Sequence, residues 1–240
     1  MTYDGIIIGG GPAGMFAAIV AAQRGQTVLL LEKNDRLGKK LAITGKGRCN
    51  VTNHCTRDEF FANITGNARF LYSAWDRFSS EDTEAFFEEL GVPLKVERGN
   101  RVFPVSDKAA DISGAMERVM KGLGVRVVQE KVISLLRNES GVYGVKTATG
   151  EHTADAVIVA TGGASYPTTG STGDGYTMAK ALGHTIMPCE GSLVPLETEG
   201  ADCQDMQGLA LRNCGVKLLH AVCSKEDTVI LEDNNVGNFA

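Results

Sequence analysis

The sequence lacks the motifs of several easily recognised site classes. Its six cysteines include no CxxC pair and its four histidines no HExxH motif, so neither a disulfide framework nor a metal site is predicted. It contains no GxSxG, which disfavours an esterase nucleophile. It also lacks an excess of basic residues, because the net charge is −5, and we therefore predict no nucleic-acid partner. The unpaired cysteines are typical of reduced thiols in a cytoplasmic protein.

The sequence also has little that resembles a membrane span. Residues 5–22, GIIIGGGPAGMFAAIVAA, carry no charge, but three glycines and a proline divide them into a short strand and a small-residue helix. No basic segment precedes them, as a secretory signal peptide would require. We predict no anchor, no targeting segment and no membrane partner.

Glycine, in contrast, is abundant, with 29 residues that cluster without a fixed period. Such clusters indicate tight turns. The chain of 240 residues is long enough for one or two domains with a substantial core. Periodicity weakens from about Pro188, where we predict a change of domain.

The first 32 residues carry the pattern of a βαβ unit. The apolar residues 3–8 predict a buried strand, and Pro12 suits the first position of a helix that ends at Gly25. QTVLLLE (26–32) predicts a second strand, without alternation, as expected when both faces of a sheet are covered.

Further elements follow from capping and turn signals. The pattern predicts a capped helix in SSEDTEAFFEELG, a hairpin around 98–100, and helices in DISGAMERVMKGLG and YTMAKALG. Strands are predicted in VRVVQ, VISLLRN, VYGVKTA and ADAVIVA. The last three form a layout typical of flavoproteins, in which a three-stranded layer leads to an ATGG turn beside the cofactor. Ala160, Thr161 and Gly162 would then contact that cofactor.

Gly9, Gly11 and Gly14 form a GxGxxG motif between the first predicted strand and helix. Glu32 follows at the end of the next strand, close to the roughly 20-residue spacing of a dinucleotide-binding fingerprint. Gly9 permits the turn, Gly11 lets the backbone approach a pyrophosphate, and Gly14 allows close packing of the helix. The motif predicts a dinucleotide site.

The neighbouring residues define the chemistry of that site. Pro12 and Ala13 open the helix, whose N-terminus attracts a diphosphate. Glu32 would accept hydrogen bonds from ribose hydroxyls and would repel a 2′-phosphate, which favours FAD or NAD over NADP.

Five motifs occur in an order that resembles a known family: GGGPAGM, GKKLAITGKGRCNVTN, RVFPVSDKAADI, VIVATGGASYPTTGSTGDGY and GSLVPL. Together they resemble the BaiN-like, aminoacetone-oxidase-type family of bacterial NAD(P)/FAD-dependent oxidoreductases, the HI0933-like flavoproteins. The resemblance runs from about Tyr3 to Leu196, and TGKGRCNVTN is its most distinctive part.

The resemblance implies an α/β, Rossmann-like FAD-binding fold with a three-stranded β crossover layer and the start of a β-rich inserted domain. Residues 1–187 would form the FAD-binding domain and residues 188–240 the beginning of the inserted domain. Members of the family are longer, and their chain returns to complete the FAD-binding domain. We therefore expect a C-terminally truncated chain that lacks this returning segment and binds FAD weakly or is inactive.

The segment TGKGRCN (44–50) admits several interpretations. Walker A spacing fails because position 40 is a lysine and Lys46 is followed by glycine. A solvated cationic surface and a thiol of lowered pKa at Cys49, beside Arg48, both stay open. The spacing of Cys49 and Cys55 differs from that of a redox disulfide.

The preferred interpretation is a cofactor loop, because the chain that leaves the second strand must pass the mouth of the site. Lys40 and Arg48 would balance the negative charge of the cofactor. The resemblance implies FAD contacts from Lys40, Thr44, Gly45, Cys49 and Asn50.

Three further residues belong to the predicted FAD set. Lys33 follows Glu32 directly. Asp174 either bonds the ribityl chain or caps a helix that starts at Gly175. Val132 offers backbone hydrogen bonds to adenine by analogy, or is ordinary strand core.

The resulting functional prediction is an FAD-dependent oxidoreductase. Electrons would pass from a small amine, alcohol or steroid-like substrate, or from NAD(P)H, through the flavin, with NAD(P) or oxygen as acceptor. The residues predict no particular catalytic acid or base. The alternative is a truncated, noncatalytic nucleotide-binding module.

Overall fold

The computed structural model describes residues 2–191, 200–209, 211–220 and 228–239. The chain divides into two compact units, residues 1–187 and 188–240. Their assignment to an FAD-binding domain and an inserted domain stays a prediction. The predicted GSLVPL motif lies mostly outside the described residues.

The strands predicted from the sequence are present, together with three short or C-terminal strands among the described residues that were not predicted. Their bounds in chain order are β1 Thr2–Ile8, β2 Val28–Glu32, β3 Thr52–Asn53, β4 Leu94–Glu97, β5 Arg101–Pro104, β6 Arg126–Gln129, β7 Val132–Asn138, β8 Gly141–Thr147, β9 Glu151–Val159, β10 Leu211–His220 and β11 Thr228–Phe239. The hairpin around 98–100 is confirmed as the antiparallel pair β4–β5.

The helices are α1 Pro12–Gln23, α2 Arg57–Ala62, α3 Tyr72–Trp75, α4 Ser80–Glu89, α5 Ala109–Gly122, α6 Asp174–Ala181 and α7 Asp202–Asp205. A 3₁₀ segment, Leu41–Gly47, follows β2. In α4 the predicted cap is confirmed: Ser79 accepts a hydrogen bond from the backbone of Asp82, whose carboxylate accepts one from the backbone of Ser79. The uncharged residues 5–22 are divided between β1 and α1, as predicted.

One mixed sheet organises the first unit, with the strand order β6-β2-β1-β9-β8-β7. Strands β6, β2, β1 and β9 pair in parallel, while β9, β8 and β7 pair antiparallel. The predicted three-stranded layer is therefore continuous with the parallel strands through β9. The Rossmann-like α/β fold class is confirmed.

The core occupies both faces of this sheet. On one face, Ile7 and Leu30 pack with residues of α1 and α5; on the other, Ile6 and Leu29 pack with residues of the β7–β9 strands and α6. Every residue of β2 is buried. Burial on both faces explains why the sequence of β2 shows no alternation.

The second unit contains α7 and the antiparallel pair β10–β11 among its described residues. Throughout the described ranges, no helix combines the length and apolar character that a bilayer span requires. Nor do the described residues bring together three histidine, cysteine or acidic side chains that could hold a metal ion.

Candidate nucleotide-binding site

The glycine turn between β1 and α1 contains two glycines that close packing requires and a third, Gly11, that has free space at its Cβ position. A Cβ on Gly9, whose φ is +107°, would lie 2.5 Å from the carbonyl oxygen of Ala160, and a Cβ on Gly14 would overlap the carbonyl oxygen of Gly9. A Cβ on Gly11 would meet no atom within 4 Å. The first two glycines are therefore required by the fold, whereas Gly11 leaves the backbone accessible.

The helix that follows offers an anion-binding end. Gly11 is the N-cap of α1 and Pro12 its first residue, and no side chain of the described residues caps this end. The first N–H groups of a helix have no intrahelical partner, and they carry partial positive charge. The N-terminus of α1 thus presents backbone donors without a capping side chain among the described residues.

Glu32 lies at the end of β2, directly beside this turn. It is buried, and its Oε2 accepts a 2.6 Å hydrogen bond from the backbone N–H of Gly10. Its Oε1 accepts hydrogen bonds from the backbone N–H and the Nδ2 of Asn34, both at 2.7 Å. A carboxylate has about four acceptor positions, so these bonds leave capacity for a ligand hydroxyl.

A pocket of about 300 Å³, hereafter the glycine-turn pocket, opens above these elements. It joins the glycine turn, the end of β2 and the residues that follow β6 and β9. Most of the predicted cofactor residues line it: Gly9, Gly11, Pro12, Ala13, Glu32, Lys33, Lys40, Val132, Ala160, Thr161, Gly162 and Asp174. Residues 160–162 lie directly after β9, which pairs with β1, so the sheet topology brings them to the turn.

The second glycine-rich loop, residues 163–173, is fastened to the chain that leaves β2. Lys33 Nζ donates 2.7 Å hydrogen bonds to Thr172 Oγ1 and to Asp174 Oδ2. Asn34 Nδ2 donates to the carbonyl oxygen of Thr169 at 3.2 Å. These bonds hold the second glycine-rich loop beside the part of the pocket that Glu32 lines.

Lys40 fastens the same loop farther along. Its Nζ donates to the carbonyl oxygen and the Oγ of Ser165, at 3.1 and 2.7 Å, and lies 5.7 Å from the ring centroid of Tyr166. Lys40 therefore lines the glycine-turn pocket and connects the chain that follows β2 to the second glycine-rich loop.

Asp174 is not the cap of α6. The helix begins at Asp174 itself, and Gly173, with φ of +78°, is the N-cap. The Asp174 carboxylate instead forms the ion pair with Lys33, whose hydrogen bond lowers the pKa of Asp174, with a smaller contribution from Thr172. The capping interpretation is wrong, and the carboxylate lines the pocket.

A second, apolar pocket of about 380 Å³ adjoins the first, because Pro12, Ala13 and Lys40 line both. Phenylalanines of α1 and α4, Phe16, Phe86 and Phe87, form much of its wall. Three predicted cofactor residues from TGKGRCN contribute to it: Thr44, Cys49 and Asn50.

The segment 44–50 is a compact turn with several residues in the left-handed region. Gly45, Lys46 and Cys49 have φ of 56°, 59° and 65°. Thr44 Oγ1 donates to the carbonyl oxygen of Leu41 at 2.7 Å, and the Cys49 N–H donates to the carbonyl oxygen of Thr44 at 3.0 Å. These hydrogen bonds connect Leu41, Thr44 and Cys49 within one turn.

Cys49 does not have the environment of a reactive thiolate. Its side chain is buried, and burial raises the pKa of the thiol, against a smaller opposing effect of the Thr44 hydroxyl. Both Cys49 and Cys55 are free. The hypothesis of a thiol with lowered pKa is therefore wrong.

Arg48 lies elsewhere than its predicted role requires. Its guanidinium pairs with Glu97 and Asp107, and Arg48 lines neither pocket. The charge of Arg48 is thus paired within the protein. Gly45 lines neither pocket, and a Cβ there would be 2.7 Å from Phe103 Cε1.

Several lining residues were missed by sequence reasoning. The glycine-turn pocket also includes Gly10, Asn34, Lys39, Glu130, Lys131, Thr169, Gly170 and Ser171. Gly10 lies inside the recognised motif, and Asn34 follows Glu32 by two residues, so proximity to those signals could have identified both. Lys39 and residues 169–171 lie inside the quoted family motifs, whereas Glu130 and Lys131 belong to none of them.

Residues 3–225 match the model of a family described as "HI0933-like protein Rossmann domain". The chain belongs to this family. Its resemblance to HI0933-like flavoproteins is thereby confirmed.

Curated relatives are similar in sequence over most of this chain. The 3-dehydro-bile acid delta(4,6)-reductase of Clostridium scindens is 32% identical over 195 residues, which cover 80% of this chain and 47% of that protein. The ribosomal RNA dihydrouridine synthase of Escherichia coli is 28% identical over 235 residues, which cover 96% of this chain and 56% of that protein. The HI0933-like chain thus spans about half the length of these relatives.

Solved structures share the fold. Sdh1 of Mycobacterium smegmatis, in complex with UQ1, matches with a TM-score of 0.57 and 21% identity, covering 75% of this chain and 38% of that chain. The 3-ketosteroid-delta4-(5alpha)-dehydrogenase of Rhodococcus jostii matches with a TM-score of 0.52 and 20% identity, covering 67% and 46%. At these identities the likeness concerns architecture alone.

Proposed function

We propose that this chain is the FAD-binding part of a flavin-dependent oxidoreductase. The observation that carries the proposal is the glycine turn, where Gly11 is open at its Cβ position and lines a pocket with Glu32. A backbone that can approach a diphosphate, beside an acid that can bind a ribose, is the chemistry of a dinucleotide site without a 2′-phosphate.

In this proposal the cofactor extends through both pockets. Gly11 and the N-terminus of α1 would bind the diphosphate, and Glu32 would bind the adenosine ribose. Val132 would contact adenine through its backbone. Lys40, with Thr44, Cys49 and Asn50 from the adjoining apolar pocket, would contact the ribityl chain and the flavin edge.

Two predicted contacts need a different description. Lys33 and Asp174 already pair with each other, so we propose that they close the adenosine end of the pocket. Residues 160–162 would lie along the cofactor, because they follow β9 beside the glycine turn.

Bound FAD would supply two-electron chemistry, while the residues of this chain bind and orient it. NAD(P)H is the proposed electron donor. A cytoplasmic location agrees with the free thiols of Cys49, Cys55 and Cys189.

The names of the relatives support a reductive reaction. A 3-dehydro-bile acid with double bonds at positions 4 and 6 and the uridine ring both contain a carbon–carbon double bond conjugated to a carbonyl group, and both named products gain hydrogen. We propose a substrate with this group, and a small organic molecule in preference to RNA because the chain is acidic. The amine or alcohol substrate predicted from the sequence is untested.

A uridine base in RNA is the second candidate. It is favoured by the dihydrouridine synthase relative, which covers nearly the whole chain. A uridine substrate in RNA would contradict the prediction that the protein has no nucleic-acid partner. One assay can compare the two substrates.

The remaining alternative is a nucleotide-binding module without turnover. An anaerobic titration decides between these functions: FAD is added to the purified chain, then NADPH or NADH, and flavin absorbance is followed. Loss of flavin absorbance on addition of NADPH or NADH supports the oxidoreductase. Recovery of that absorbance on addition of an enone steroid or of a uridine-containing RNA identifies the substrate class. Stable FAD absorbance without bleaching supports the noncatalytic module, and no flavin binding overturns both.

A further inference from the structure

Arg48 sits at the centre of a small ionic network outside both pockets. Its Nη1 lies 2.9 and 3.0 Å from the two carboxylate oxygens of Glu97 and 3.3 Å from Asp107 Oδ1. Lys95 joins the network, with its Nζ 2.8 Å from Asp107 Oδ2 and 3.3 Å from Glu97 Oε1. Isolated surface pairs stabilise proteins little, but here several charges share one geometry.

The guanidinium also stacks on an aromatic ring. Its carbon lies 4.0 Å from the ring centroid of Phe103, which is a buried residue of β5. The same ring fills the space beside Gly45, where a Cβ would be 2.7 Å from Phe103 Cε1. Phe103 therefore contacts the turn 44–50 at two points.

The turn needs such support, because its backbone is held in a disfavoured conformation. Lys46 and Cys49 both have positive φ without being glycine. The backbone of the next residues pairs with the same hairpin strand: Val51 N–H donates to the carbonyl oxygen of Val102 at 2.8 Å. The β4–β5 hairpin thus contacts the turn and the residue that follows it through both side chains and backbone.

We propose that Arg48 is a positioning residue, which clamps the turn 44–50 to the β4–β5 hairpin so that Thr44, Cys49 and Asn50 line the apolar pocket. Arg48 acts through the turn and does not touch the cofactor. The clamp itself is independent of the cofactor, whereas its effect on flavin binding rests on the proposed function.

Alkylation of Cys49 tests the clamp without any ligand. Iodoacetamide reacts with Arg48→Gln, Arg48→Lys and the wild-type chain, and peptide mass spectrometry measures the rate at each cysteine. Arg101→Gln is the matched control, because Arg101 approaches the same ring at 5.9 Å but, among the described residues, its side chain donates to the carbonyl oxygen of Arg98 in its own hairpin. Cys55, which is half-buried, reports general loosening.

We expect Arg48→Gln to raise the alkylation rate of Cys49 by about tenfold or more through local opening of the turn, with Cys55 nearly unchanged. Arg48→Lys recovers part of the protection, because an ammonium group still pairs with Glu97 and Asp107. Arg101→Gln matches the wild type. An unchanged rate at Cys49, or equal increases at Cys49 and Cys55, overturns the clamp.

Binding of FAD and of ADP then tests the consequence for the site. We expect Arg48→Gln to lose about tenfold in FAD affinity, while ADP affinity, which depends on the adenosine end, stays within about twofold. Parallel losses for both ligands, or no loss for FAD, contradict a positioning role. A wild-type chain that binds neither ligand overturns the proposed function, while the alkylation result still decides the clamp.

Discussion

The carboxylate of Glu32 accepts a 2.6 Å hydrogen bond from the backbone N–H of Gly10, and so links the end of β2 to the middle of the glycine turn. A Cβ on Gly10 would overlap the side chain of Leu37 and approach Glu32 Oε2 to 3.2 Å. Glu32 therefore supports the turn and lines the pocket with the same carboxylate.

Glu32→Gln should weaken FAD binding by roughly tenfold to a hundredfold, the effect of losing a hydrogen bond to a charged acceptor. One carboxylate oxygen becomes an amide NH₂ group, which cannot accept from Gly10 or from a ribose hydroxyl. Isothermal titration calorimetry measures the affinity, with Asp35→Asn as an exposed control nearby. Equal affinities of Glu32→Gln and wild type would show that the adenosine end is assigned wrongly.

The two glycines of the turn should respond differently to alanine. Gly14→Ala places a Cβ against the carbonyl oxygen of Gly9, and we expect it to lower the free energy of unfolding by about 1–3 kcal/mol through overpacking. Gly11→Ala meets no atom and keeps an ordinary extended conformation, with φ of −75° and ψ of 177°, so its stability should match the wild type. Its FAD affinity should nevertheless fall. Urea unfolding and FAD titration of both variants give the comparison, and a destabilised Gly11→Ala would refute this division of roles.

The Lys33–Asp174 pair should make stability depend on pH in the acid range. The pKa of Asp174 is lowered from 3.8 by the hydrogen bond from Lys33. The stabilisation it provides is therefore complete above pH 3.8 and is lost as the pH falls through the folded-state pKa. Asp174→Asn should be less stable than wild type at neutral pH, and the difference should shrink in acid. A difference that stays constant across urea unfolding curves at several pH values would exclude this linkage.

Lys40→Met should speed the release of FAD, because the bonds from Lys40 to Ser165 hold the second glycine-rich loop at the mouth of the pocket. We expect a dissociation rate several-fold higher, since loss of affinity within one site is expressed mostly in the dissociation rate. Stopped-flow displacement measures it, with the exposed Lys121→Met as the charge-matched control. Equal FAD dissociation rates in the wild type, Lys40→Met and Lys121→Met would show that the second glycine-rich loop does not help to retain FAD.

The strand–turn–helix at the N-terminus could be predicted because its signals are local. Tyr3, Pro12 and Gly25 mark the elements, and the glycines mark the turn by their spacing. The βαβ unit follows from these signals, whereas the Rossmann-like FAD-binding fold with its crossover layer is what the family resemblance implies.

The connections around the pocket could not be predicted in this way. Asn34 and Thr169 are 135 residues apart, and Lys40 and Ser165 are 125 apart, so no periodicity relates them. Arg48 shows the same limit in another form. The sequence shows its charge, but the choice between a cofactor phosphate and Glu97 as its partner depends on where the hairpin packs.

The most direct measurement is a titration of the purified chain and Gly11→Val with FAD, followed by flavin absorbance and by removal of free FAD on a desalting column. We expect the wild-type chain to take up more FAD than Gly11→Val, which should unfold at the same urea concentration. A wild-type chain that stays colourless, or a Gly11→Val variant that binds FAD equally well, would contradict the central claim that the glycine turn binds the cofactor.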